Sequence, residues 1–592
     1  MAEKTKLVCL GRDGTQKHAC LPQVHVNSSR PGDYPQSQIA ILELEDELHV
    51  KIYPGTEIMT DVGSHHFVRQ SGASSNVLVP QPSQDRNDPL NWNKYWKFIT
   101  IFIAMASNVI MGIGPLALAP MFGDLIEAFH SDLAAVVQFT GVCILVLGFS
   151  NFFCCDIRVP ISDTFGRRPV LIFSSLVCLA SNIWRAKATT YGSFMGACVL
   201  NGFGAGPCET LCPQVITDIF FLHERGYYNT MYFALYFGSL MVGPIIAGSM
   251  ALHVGWRSFW WLNVAAFVFI ILAAVFAFPE TKWHRAHPNE IHDTQASVTS
   301  TGDSADGKEK EESPEDSSKN LQTHLEVQTP PVEDAAMDPF LHKGQPSKGQ
   351  FAIYQPDPHW AKTLLLAFWV PWRLLAFPIV EYAAFVVSWS ASCFLTANLT
   401  QSQAFGAPPY NWSSQSIGFT NFASLAGALI GLLTNGPLSD WISMRATKKN
   451  RGIREPEMRL PTLIPYVIIS IIGNFIIAFG YEYHWDWRAI VIVGYTCAGI
   501  QVTALPAIAS TYAVDSYKPV VGSVFIAITV NKNVWGYGFS KFITTWTEES
   551  GYIPAIMMNM CLTVLWCSFG FLFFFYGKTC RKWTAGSSIW KL

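Results

Sequence analysis

The stretch Val159-Pro160-Ile161-Ser162-Asp163-Thr164-Phe165-Gly166-Arg167-Arg168-Pro169 has an echo late in the chain, Gly436-Pro437-Leu438-Ser439-Asp440-Trp441. Both contain Pro-x-Ser-Asp, and each follows the second member of a set of six apolar runs. The first set covers 98–119, 134–155, 170–184, 194–216, 227–250 and 259–278; the second covers 374–397, 417–433, 463–479, 489–512, 520–542 and 553–576. At 1.5 Å per residue, a helix of about 20 residues matches the roughly 30 Å hydrocarbon slab of a bilayer. A short motif returning at the same place in each sextet is an internal repeat of the kind transporters are built from.

Composition agrees. Of 592 residues, 50% are hydrophobic and only 14% charged, against roughly 25% charged in a soluble domain. A net charge of −3 leaves no electrostatic footprint for nucleic acid, so that partner is set aside. Cys143, Cys178, Cys208, Cys212, Cys393, Cys497, Cys561 and Cys567 fall inside apolar runs and read as small hydrophobes. Cys154-Cys155 and His65-His66 lack the spacing of a metal site, and no metal or cofactor is expected. No phosphate-cradling Gly-Lys loop or hydrolytic nucleophile is visible, which argues against an enzyme and against an ATP-driven pump.

The chain divides into a disordered cytoplasmic tail (1–92), a six-helix bundle (93–282), a disordered cytoplasmic linker dense in Glu, Asp, Lys, Ser and Pro (283–360), a second six-helix bundle (361–577) and a cytoplasmic tail (578–592). With the amino terminus inside, the basic loops containing Arg167, Arg168, Arg225, Arg445, Lys448 and Lys449 become cytoplasmic. Fewer basic residues fall opposite, Arg185 and Arg257 among them at helix ends. Two sequons, at Asn398 and Asn411, then lie together outside, as glycosylation requires.

The repeated Pro-x-Ser-Asp with Gly166, Arg167 and Arg168 resembles the loop signature of the major facilitator superfamily. That resemblance implies an all-α membrane protein of twelve transmembrane helices in two pseudo-symmetric six-helix bundles. It also implies that Asp163, Gly166, Arg167, Arg168, Gly436, Pro437 and Asp440 form a gating loop, an acidic group beside basic ones bridging helix ends. The fifth run, with Gly238, Gly243, Pro244 and Gly248, is similar to the glycine-proline motif of drug:proton antiporters in this superfamily, and would act as hinge or seal. Pro279-Glu280-Thr281, and Asp218 with Arg225-Gly226, are further matches to the superfamily, while Asn201-Gly202-Phe203-Gly204-Ala205-Gly206-Pro207, His223-Glu224-Arg225-Gly226, Thr511-Tyr512-Ala513-Val514-Asp515, Pro54-Gly55-Thr56-Glu57-Ile58-Met59 and Asn87-Asp88-Pro89-Leu90-Asn91-Trp92 resemble a fungal branch that includes yeast polyamine and cation permeases and efflux pumps. Three departures stand out: Val159 where the loop motif has Gly, Cys198 where the antiporter fourth helix has Arg, and Cys154-Cys155-Asp156-Ile157-Arg158, roughly one helical turn longer than usual.

The resemblance makes helices one, four, seven and ten the cavity lining. Independently, an ionisable group within a membrane helix costs about 2.5 to 3.5 kcal/mol on insertion scales, so each is a functional suspect. Glu209 lies within the fourth run on a stripe with Asn201, and Glu381 about two turns into the seventh, beside Tyr382 and near Trp389. Either binds a cation or carries protons, or is hydrogen-bonded for packing. Lys532, mid-run in the eleventh, calls for a carboxylate partner or an aqueous cavity. Asn108, Tyr495 and Gln501 complete the lining candidates. Together these point to a multi-pass plasma-membrane protein, expected monomeric, moving a small organic solute, a cationic or polyamine-like one among the expectations, with protons. An exporter of a toxin or secondary metabolite and a transporter-like nutrient sensor remain open beside it.

Overall fold

Each apolar run becomes helix, because only a helix satisfies every backbone N–H and C=O within its own segment in lipid. The structure, a computed structural model, describes residues 57–58, 82–83, 85–153, 166–283, 341–352, 369–450, 453–517, 520–585 and 587. Asp163, the 154–158 segment and most of the tail and linker lie outside the described residues.

The first bundle contains α1 (Lys94–Gly112), a short α2 (Phe122–Phe129), α3 (Leu133–Phe153), α4 (Arg167–Lys187), α5 (Tyr191–Ala205), α6 (Leu211–Ile219), α7 (Leu222–His253) and α8 (Trp256–Ala277). The second contains α9 (Pro378–Gly406), a short α10 (Ser414–Phe419), α11 (Asn421–Lys449), α12 (Leu463–Glu482), α13 (Thr496–Ser516), α14 (Val521–Ser550) and α15 (Tyr552–Ala585). Ten described segments are long and apolar enough to cross a bilayer. The other two crossings are the split helix α5–α6 and the polar α14. They complete twelve crossings in two bundles of six. The halves meet where α3 packs on α14 and α7 on α11.

At the basic end of the first bundle, α4 is preceded by Gly166 at its N-cap, whose φ of 110° and ψ of 164° are open to glycine alone. The Glu280 carboxylate caps this helix: Oε1 accepts from the Arg167 N–H at 2.8 Å and Oε2 from the Arg168 N–H at 3.0 Å. Arg167 Nε pairs with Asp218 at 3.0 Å, and the Thr281 hydroxyl donates to the same Oδ2 at 3.2 Å. In the second bundle the motif differs from expectation. Gly436-Pro437-Leu438-Ser439-Asp440 lies inside α11, which runs on to Lys449 rather than turning. Its polar continuation needs no lipid, so the apolar run ends before the helix does. Asp440 and Asp515 both pair with Arg459, at 3.5 and 3.0 Å.

Two segments expected to be structureless are folded here. Residues 85–92 form turns in which Asp88 Oδ1 accepts from the Leu90 N–H at 3.0 Å and Trp92 Nε1 donates to Asn87 O at 3.0 Å. Residues 341–352 of the linker lie against them, with Gly344 N donating to Asn91 O at 2.9 Å and Phe351 under the Arg168 guanidinium at 5.5 Å. Fully buried Leu90 and Trp92 supply the apolar anchors that composition averaged over the tail conceals. A two-residue pairing, β1 (Glu57–Ile58) with β2 (Ile453–Arg454), joins the tail to the connection between α11 and α12.

Candidate functional site

Pro207 has no N–H to continue the ladder of α5, and the chain tightens into a 3-10 turn, Gly206–Glu209, before α6. Glu209 stands at this break, 2% exposed. Its Oε1 accepts from Tyr236 Oη and Lys532 Nζ, its Oε2 from Asn533 Nδ2 at 2.9 Å, and its backbone carbonyl from Tyr232 Oη at 2.9 Å. Lys532 Nζ donates also to Tyr236 Oη at 2.9 Å and lies 4.8 Å from that ring's centroid, within cation–π range.

Charge explains the arrangement. A carboxylate and an ammonium each buried alone would cost several kcal/mol; paired and hydrogen-bonded, each neutralises the other. Glu209 and Tyr236 belong to the first bundle and Lys532 and Asn533 to the second, so the ion pair crosses the boundary between halves. Gly148 lets α14 approach: a Cβ there would stand 2.5 Å from the Asn533 Cβ. Beside the pair lies an open-mouthed cavity walled by Leu116, Leu147, Phe237 and Leu240 from one half and Ser392, Phe394, Leu395 and Gly536 from the other.

Of the residues singled out in the sequence, Glu209 and Lys532 line this cavity. Glu381 does not. It occupies the first turn of α9 rather than a position two turns in, because the helix begins at Pro378, later than the apolar run. Tyr382 is 1% exposed and packs on Phe573 at 4.7 Å in the second bundle's core. Trp389 lies against Trp535 at 5.0 Å. Tyr495 shares a hydrogen bond with Tyr481, and Gln501 Oε1 accepts from Asn474 at 2.8 Å, both inside the second bundle. Asn108, 1% exposed, finds no hydrogen-bond partner among the described residues.

The fifth-run motif sits on the continuous helix α7. A Cβ at Gly243 would meet Ile113 O of the segment after α1 at 2.4 Å, and one at Gly248 would meet Ser414 O at 2.5 Å; Gly238 has only ordinary contact with Leu425. Close packing is thus what Gly243 and Gly248 supply. Asn398 is not a surface sequon: it is 1% exposed within α9 and donates to Asn421 at 3.1 Å, whereas Asn411 is exposed between α9 and α10.

Three groups escaped the sequence reading. Tyr236 and Tyr232 lie one helical turn apart on one face of α7, a spacing visible in the sequence but common among aromatics. Asn533 adjoins Lys532. Arg185, counted as a helix-end charge, is wholly buried; its Nη2 lies 3.6 Å from Cys143 Sγ and its guanidinium 4.7 Å from the Trp260 ring. It also contacts Cys198, so a guanidinium from α4 reaches the very residue where the resemblance expects arginine on the fourth span. Asn201 adjoins this cluster, with Cys143 Sγ at 3.6 Å from its Oδ1. Among the described residues no three His, Cys, Asp or Glu side chains converge as a metal site.

An uncharacterized MFS-type transporter of Schizosaccharomyces pombe is 26% identical, covering 92% of this chain and 95% of its own. Protein HOL1 of Saccharomyces cerevisiae is 25% identical over 86% of this chain and 91% of its own. Efflux pump radE of Floropilus chiversii is 22% identical over 86% and 85%. Among solved structures, the proton:xylose symporter XylE superposes with a TM-score of 0.51 at 12% identity, covering 82% of this chain and 97% of that one, which shows the fold alone. Residues 97–540 match the family model directly, and the chain belongs to the Major Facilitator Superfamily.

Proposed function

We propose that this transporter moves a small organic cation inward across the plasma membrane, coupled to protons, with Glu209 as the group that binds and couples. Both termini and the linker face the cytoplasm in this reading, as the loop charges require. One observation carries it: the carboxylate at the helix break borders the cavity between halves and already holds an ammonium, that of Lys532. A carboxylate in so confined a place carries one positive partner at a time, whether proton, lysine or solute. Exchange among them gives coupling without bond-making chemistry, and gating follows because one partner belongs to each half.

Uptake in cells, with and without a proton gradient, tests this. Accumulation should vanish when the gradient is collapsed and in Glu209→Gln; flux indifferent to both removes the carboxylate mechanism. A second reading keeps the site and reverses direction, because several relatives are named efflux pumps. A deletion strain more sensitive to a compound supports export, and equal tolerance across a compound panel argues against it.

A further inference from the structure

We propose that Lys532 is a built-in occupant of the cation site, and that a primary alkylammonium enters by taking its place on Glu209. This rests on the reading of Glu209 as the binding carboxylate and specifies the substrate class of that site. The Lys532 side chain is a butylammonium arm. Its Nζ meets a carboxylate oxygen, a phenol oxygen at 2.9 Å and a ring face at 4.8 Å. Two of these contacts consume N–H donors, so the site fits a primary ammonium and discriminates against a quaternary one, which has none.

Three further observations favour exchange over a permanent lock. Both side chains line the cavity, and that of Lys532, 11% exposed against 2% for Glu209, is the more open of the two. Asn533 holds Oε2 independently at 2.9 Å, which leaves Glu209 positioned when Lys532 departs. The adjoining walls, Leu116, Leu147, Phe237 and Phe394 among them, are apolar and suit an alkyl body. Displacement of Lys532 removes one of the contacts between halves while that of Asn533 with Glu209 remains.

The probe is n-butylammonium, measured with the purified full-length protein in detergent. Deleting a tethered competitor exposes the site at its intrinsic affinity, so Lys532→Ala should bind n-butylammonium at least tenfold more tightly than the wild type. Tetramethylammonium should gain nothing. If Lys532→Ala folds poorly, n-butylammonium added during purification should restore its yield, and Lys532→Met provides a second variant. Unchanged affinity in both variants, or a yield the amine does not restore, overturns the proposal. Loss of binding in Glu209→Gln alongside either result leaves the function above standing, whereas wild-type binding in Glu209→Gln removes that function itself.

Discussion

Gly166 illustrates how much one residue decides at the basic end. Its backbone lies in a region reserved for glycine, and an added Cβ would stand 2.1 Å from Glu280 Oε2, the group that caps α4. Gly166→Ala should therefore cost about 1–3 kcal/mol, read as a lower unfolding temperature in detergent; an unchanged temperature would contradict the cap. Glu455 makes a pH-dependent counterpart in the other half. Burial alone would raise its carboxyl, but hydrogen bonds and charge from Arg581, with Lys578 at 3.1 Å, outweigh it and hold the group below its ordinary 4.5. A depressed carboxyl stabilises the fold fully above the ordinary value and loses that contribution as pH falls through the folded one. The stability difference between wild type and Glu455→Gln should shrink on acidification from neutral; a constant difference would contradict the clamp. At this scale the sequence was uneven. Glu209 was legible because a carboxylate in an apolar run has few innocent explanations. Arg185 was not, because a basic residue near the end of a run reads as a loop charge until the helix packing encloses it.

Among the elements, the broken crossing α5–α6 and the polar crossing α14 are those that bring the ion pair together. A broken helix and a polar one are poor membrane segments individually, and each is tolerated because the other supplies its partner. Pro207→Ala restores an N–H and lets α5 continue toward α6, rotating Glu209 away from Lys532. Transport should fall at least tenfold; undiminished transport would show that the break does not position the carboxylate. The twelve crossings were readable from run length alone, since lipid thickness sets it. Helix ends were not, as α11 and α9 show: helices extend past the bilayer in polar sequence, and Pro378 rather than hydropathy sets where α9 starts.

The whole molecule is two bundles packed on each other through α3 with α14 and α7 with α11, the Glu209–Lys532 pair among the contacts that cross between them, with tail and linker segments folded against the bundles. Its duplication was legible in the repeated Pro-x-Ser-Asp, but not which lining residues converge, because that depends on how the bundles approach one another. The two sequons divide on the same ground. Asn411→Gln should abolish an endoglycosidase-sensitive mobility shift and Asn398→Gln should leave it; a shift depending on Asn398 would contradict its burial in α9. The most direct test of the central claim is gradient-driven accumulation of labelled n-butylammonium in proteoliposomes containing the full chain or Glu209→Gln. The account requires accumulation by the wild type under an imposed proton gradient and none by the variant; equal accumulation by both would contradict it.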